Sequence, residues 1–246
     1  MKYFSTQLSN ENLYSIHNDI TIFLAIVWIA FCFLGFYLSA SNKNKITLFL
    51  IIFSVTQEIF DYINRFFLND LYVIKMQTDL PLQLCHFAYW FSVVLLIIQL
   101  KNENSKYKQF FFNCAFFWGF SGAFQGILTV DLTGIYTFSD MLALHLQHSL
   151  IILNVLWMIF AYNVSFNSNG IMQAFIFTNI LLIVIGFINY FLGSNYMFLC
   201  AAPKVENPLL VGKWPYYLLV LEIIFIIYGY IILLPFKLFE RIKHKF

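Results

Sequence analysis

Charge is what this sequence has least of. Only 11% of its 246 residues are Asp, Glu, Lys or Arg, against about a quarter in an ordinary soluble domain. So few charges cannot cover a water-exposed globule, so a soluble enzyme is excluded and a membrane protein is expected. The formal net charge of +2 is too small to suggest a nucleic-acid partner. Cysteine is scarce as well. Cys32, Cys85, Cys114 and Cys200 show no paired spacing, and the first three lie inside apolar runs, so no disulfide framework is expected. A soluble domain, a long linker and a clear internal repeat are missing. The polar stretch before Ile20 carries little positive charge, so the first apolar run reads as a retained span rather than a leader.

What is present is apolar. Hydrophobic residues make up 61% of the chain, and a helix needs about 20 of them in a row to cross the hydrocarbon core. Seven runs qualify: roughly 20–38, 46–67, 80–100, 109–128, 141–161, 171–192 and 214–236. The breaks between them, such as SASNKNK, KNENSKYK and NVSFNSNG, carry turn chemistry. Pro81 and Pro215 are expected in first helical turns, where a missing N–H costs little. The expected fold is an all-α membrane protein: one integral domain over 1–246, a polytopic bundle of about seven transmembrane helices. Orientation follows from Lys and Arg in short loops. With the N-terminus outside, nine such residues fall inside and four outside, which gives N-out/C-in. The expected location is the cell membrane, with membrane lipid as the partner.

The polar residues within the spans are few and patterned. In the second span, QEIFDYINRFF, a rotation of about 100° per residue puts Gln57, Glu58, Asp61, Asn64 and Arg65 on one arc. Asp61 and Arg65, four apart, can pair directly. The third span opens LPLQLCH and places His86 between Gln83 and the pair Cys85 and Tyr89. The fourth gathers Cys114, Trp118, Ser121 and Gln125 on one side. The fifth, MLALHLQHSLIIL, places His145, His148 and Ser149 on one face. Asn189 sits late in the sixth; Tyr216, Tyr217 and Glu222 sit early in the seventh. Spans two, four and six carry this polarity late, and spans three, five and seven carry it early. Alternating spans therefore bring it to one side of the membrane. Separate helix–helix hydrogen bonds account for some of it, but several histidines and acids at one depth predict a shared polar pocket.

The motifs LPLQLC, WGFSGAFQGILT, LHLQHSLIIL, NYMFLCAAP and GKWPYYLLVLE, in that order over about residues 80 to 225, resemble those of the YwaF-like family of bacterial integral membrane proteins. The resemblance implies a bundle of about seven spans. It also implies distant similarity to a vertebrate acyltransferase that moves an acyl chain onto an ether phospholipid, and so lipid acyl chemistry. His148 matches the family's histidine in the fifth span; Asn195, Tyr196 and Trp214 match its loop motifs. The family usually has a histidine where this chain has Gln83. The vertebrate enzyme has its cysteine directly after the proline, where this chain has Leu82, so its acyl-cysteine mechanism does not transfer residue by residue.

Three functions follow. A lipid acyltransferase or hydrolase needs a nucleophile, a base and donors for an oxyanion. Cys85 or Ser121 can attack, and His148 or His86 can take the proton. Gln83, Arg65, Glu58, Asp61, Gln125, Asn189 and Tyr217 are the candidate substrate-binding groups. A metal-dependent hydrolase would use His145 and His148 with His86 or Asp61; the spacing is weak, and neither a metal nor another cofactor is expected. A lipid or small-ligand carrier or receptor would use the same pocket without catalysis, though carriers tend to show repeats and broken helices.

Overall fold

The computed structural model describes residues 7–203 and 210–243; Lys2, Lys204 and Lys245, which entered the charge bias, lie outside them. Seven helices follow one another: α1 (Asn10–Tyr37), α2 (Ala40–Ile63, prolonged by a π turn Asn64–Leu68), α3 (Leu84–Lys101), α4, α5 (Phe138–Tyr162), α6 (Ser168–Leu192) and α7 (Tyr216–Lys243). Here α4 is a run of 21 residues made of Lys108–Trp118, a π turn Gly119–Ala123 and Phe124–Leu128. Among the described residues six helices are each long and apolar enough to cross a membrane. The seventh, α4, reaches a comparable length, about 30 Å at the helical rise, only as that interrupted run. Among the described residues the regular structure is entirely helical.

Several boundaries differ from the sequence reading; α2, for one, begins at Ala40 and not at 46. α1 begins at Asn10, well before residue 20, because Ser9 caps it by accepting the Asn12 amide. Apolar length does not register such a polar first stretch. α3 begins at Leu84, so Pro81 lies ahead of the helix and not in its first turn. Leu80 precedes a proline and avoids the helical region, and the chain turns there with the Leu82 amide on the Leu80 carbonyl (2.7 Å). Pro215 likewise stands just before α7.

α5 is the axis of the bundle. α1, α2, α3 and α4 all pack on it, while α6 packs on α4 and α7 on α6. A capping box of Thr137 and Asp140 starts α5, and a left-handed Asn163 (φ 53°) ends it. Lipid is as apolar as Leu, so helix association rests on close packing and internal hydrogen bonds. Gly35 shows the closeness: a methyl group there would meet the Ala161 amide nitrogen at 2.9 Å. Aromatic rings fill the rest, with Phe91 against Phe111 and Trp118 and Phe117 stacked on Phe225.

Polar ties secure the end of the bundle where α1 finishes. Lys43 donates to the Ala161 carbonyl (2.9 Å), Trp157 to the Thr47 hydroxyl (2.8 Å) and Asn113 to Gln173 (2.7 Å). At the other end lie the start of α1, α3, α5 and α7 and the finish of α2, α4 and α6. The histidines of the spans gather there, with Glu58, Asp61, Asp140 and Glu222.

Candidate functional site

Cys85 and His148 meet across the interior of that end. Cys85 is the second residue of α3, and its thiol lies within electrostatic reach of the His148 imidazole on α5. His148 Nδ1 lies 2.9 Å from the Leu144 carbonyl. A carbonyl only accepts, so Nδ1 carries the proton and Nε2 is left as an acceptor. That tautomer presents a base to the thiol. Both groups press on one strip of α4. A methyl group at Gly122 would lie 4.0 Å from Cys85 Sγ, and one at Gly126 would lie 3.1 Å from His148 Nε2.

This differs from the faces expected from periodicity. Ser121 was placed on the interior side of α4, but its hydroxyl is folded back onto the Phe117 carbonyl (2.7 Å) and Gly122 faces the thiol. The π turn at Gly119–Ala123 holds an extra residue, so every later position is rotated relative to a straight α-helix. His145 and Ser149 were expected to share a face with His148. They turn to α1 instead, where His145 Nε2 lies 2.8 Å from His17 Nδ1 and the Ser149 hydroxyl accepts from Trp28 (2.8 Å). Because α5 is central, residues only about 60° apart on it face different neighbours. His145 Nδ1 is taken by the Met141 carbonyl (2.8 Å), so both its ring nitrogens are hydrogen-bonded to groups other than His148. Among the described residues no group of three or more His, Cys, Asp or Glu is placed to hold a metal ion.

Beside the pair lies a charged layer. Arg65 binds Asp61 at 2.6 Å and Asp79 at 3.5 Å and lies over the Tyr72 ring. The Tyr72 hydroxyl donates to Asp79, and burial together with that carboxylate pushes the phenol's pKa up. Glu58 is buried and receives only a long hydrogen bond from Gln147 (3.5 Å). His86 stands between the layer and the pair, within electrostatic reach of Arg65 and His148. Its buried Nδ1 has no hydrogen-bond partner. A narrow cleft lined by Gly126, Ile127, Val130, Leu144, His145 and His148 reaches the histidine of the pair. It includes neither His86 nor Glu58, so it is not the cavity expected to unite those two with His148.

Three other candidates converge on the loop after α6. Asn189 accepts from the Tyr196 amide (2.8 Å) and the Ser194 hydroxyl (2.7 Å) and donates to the Tyr196 carbonyl (2.9 Å). Tyr217 donates to the Phe198 carbonyl. Gln83, the residue that caps α3, accepts the Met197 amide at 2.9 Å through Oε1. Asn189 and Tyr217 thus hold the loop with polar atoms that were expected to face substrate, while Gln83 keeps its NH2 group free. Met197 and Phe198 adopt positive φ (55° and 53°), a strained conformation for non-glycine residues. The Tyr196 hydroxyl binds the Met76 carbonyl (2.7 Å) and the Leu80 amide (2.9 Å), stitching this loop to the one before α3. Gln125 is half-buried, and among the described residues its side chain makes no hydrogen bond. Glu222 pairs with Asn179 of α6 (3.1 Å).

Among the residues that escaped the sequence reading are His17 and Asp140, together with Tyr72 and Asp79 of the charged layer. His17 precedes the apolar stretch that was taken as the first span. Asp140 accepts from Asn64 (2.7 Å), Asn69 (2.8 Å), the Tyr136 amide (3.0 Å) and the Thr137 amide (2.9 Å). Its signal was legible as Thr-x-x-Asp before an apolar run.

The fold and site define a polytopic α-helical membrane protein with a cysteine and a histidine paired inside the bundle. The chain belongs to the TMEM164 family, whose model matches residues 8–233. Searches among curated proteins and among solved structures return no match.

Proposed function

We propose that this chain is a membrane-embedded acyltransferase of the cell membrane that passes a fatty acyl chain between lipids through Cys85. The observation that carries the reading is the approach of the Cys85 thiol and His148 to each other over one strip of α4, with the His148 tautomer set by Leu144. A nucleophile and an oriented base are what covalent acyl transfer requires. The motif resemblance to YwaF-like proteins and to an ether-phospholipid acyltransferase supports the same chemistry.

In the first half-reaction His148 Nε2 takes the Cys85 proton as the sulfur attacks the ester carbonyl of a donor lipid. The C–O bond then breaks, His148 returns the proton to the departing lipid alkoxide, and a thioester remains on Cys85. In the second, an acceptor lipid hydroxyl gives its proton to His148 and attacks the thioester. The C–S bond breaks, and Cys85 recovers the proton. Water in place of the acceptor would make the enzyme a hydrolase. Gln83 supports the tetrahedral stage: the Met197 amide holds its Oε1, which leaves its NH2 as a donor for a developing oxyanion.

The test uses purified protein in lipid nanodiscs, a phospholipid with an isotope-labelled acyl chain, and a lysophospholipid acceptor. Labelled acyl on Cys85 by mass spectrometry, and its loss with turnover in Cys85→Ser and His148→Ala, are expected. Full transfer by Cys85→Ser excludes the cysteine. Lipid binding without acyl release, altered by His148→Ala only in affinity, makes the protein a carrier or receptor.

A further inference from the structure

The stretch WGFSGAFQGILT supplies neither nucleophile nor base, yet it forms the wall on which both rest. Its π turn interrupts the regular α-helical ladder. Two carbonyls at and beside the turn receive side-chain hydroxyls: the Tyr228 hydroxyl of α7 donates to the Phe120 carbonyl at 2.8 Å. The Phe117 carbonyl takes the Ser121 hydroxyl. Beyond the turn, Gly122 lies under Cys85 and Gly126 under His148. The two glycines have different room. A methyl at Gly122 would stand 4.0 Å from Cys85 Sγ, an ordinary contact. A methyl at Gly126 would stand 3.1 Å from both Nε2 and Cδ2 of His148, a tight contact that the ring could meet only by giving way a few tenths of an ångström. The imidazole has little freedom to yield, because Nδ1 is fixed on the Leu144 carbonyl. Any ring movement that relieves the contact carries Nε2 off the thiol.

We propose that Gly126 is a positioning residue for the Cys85–His148 pair, and that Tyr228 holds the π turn which places it there. The bare backbone at 126 lets the imidazole close on Cys85. The hydroxyl of Tyr228 keeps the register of α4 that puts a glycine, and not its bulkier neighbours Gln125 or Ile127, under the ring. The interior helix carries the site and the peripheral α7 sets its geometry. This inference rests on the Cys85–His148 reading.

The test needs no lipid substrate. In a chain with Cys32, Cys114 and Cys200 replaced by Ala, alkylation of Cys85 by iodoacetamide is followed against pH in nanodiscs. Only thiolate reacts, so a histidine that takes up the thiol proton raises the alkylation rate at a given pH. The rate of the intact background at about pH 7 is the reference. Gly126→Ala should lose about tenfold there and reproduce the profile of His148→Ala, and the double variant should lose no more. Gly122→Ala should keep the background profile. Tyr228→Phe, which removes one hydroxyl, should shift the profile part of the way without unfolding the chain. Thermal unfolding of each variant separates a lost fold from a lost contact. A background profile in folded Gly126→Ala, with His148→Ala shifted, overturns the role of Gly126 and leaves the pair standing. No shift in His148→Ala overturns the pair itself.

Discussion

At the end of the bundle where α1 finishes, polar side chains come in matched sets. Thr47 receives Trp157 and meets Tyr162, Asn113 joins Gln109 to Gln173, and Lys43 sits on a carbonyl. At the opposite end the groups are histidines, acids, one arginine and a thiol, and their pairing is incomplete. His86 keeps a buried ring nitrogen without a partner, Glu58 has only a long contact, and Arg65 is divided between two carboxylates. Neutral, saturated pairs are what helix association in lipid calls for. Titratable groups with unused capacity are costly there and lend themselves to chemistry. The contrast separates adhesive polarity from reactive polarity in one molecule.

The sharpest break of this comparison lies at Cys85 and His148. Replacing His148 by Ala should cut acyl transfer by about 10²–10⁴-fold, the usual contribution of a general base, while the melting temperature barely moves. Equal loss of stability and activity would return the pair to the adhesive class.

Next comes Asp140, which belongs to the reactive end by position but to the adhesive class by its saturated bonds. Asp140→Ala strands the donors of Asn64, Asn69 and two amides. It should destabilise the fold by about 3–5 kcal/mol, because each buried donor left unsatisfied costs about 1–3 kcal/mol. Denaturation in mixed micelles measures it, and a cost below about 1 kcal/mol, the size of an exposed pair, would deny the network its role.

At the far end Thr47→Val removes the hydroxyl that meets Trp157 and Tyr162. A loss of about 1–2 kcal/mol is expected, with transfer activity unchanged per folded molecule. An activity change larger than the folded fraction explains would blur the two classes.

His86→Leu should have the smallest effect on stability, within about 1 kcal/mol, because no hydrogen bond to Nδ1 is lost. Turnover should still fall. Unchanged turnover would make the vacant nitrogen a tolerated defect rather than part of the site.

Much of this was legible in the chain. Six spans and the run that forms α4 follow from apolar length alone, since nothing else crosses hydrocarbon with its backbone satisfied. The gathering of polar residues at one end follows from alternation of span direction. What failed was anything needing exact rotation. The π turn in α4 exchanged Ser121 for Gly122, and the central place of α5 sent His145 to His17 and only His148 to Cys85. His17 was missed because a polar helical start lies outside an apolar window.

The sequence by itself determined the solvent, the number of helical crossings and the depth of the reactive groups. Those depend on sums over many residues, and one misjudged rotation does not change a sum. Tertiary structure alone decided the partners. A hydrogen bond forms or fails within a few tenths of an ångström, and a single π turn or a glycine under an imidazole moves a side chain farther than that.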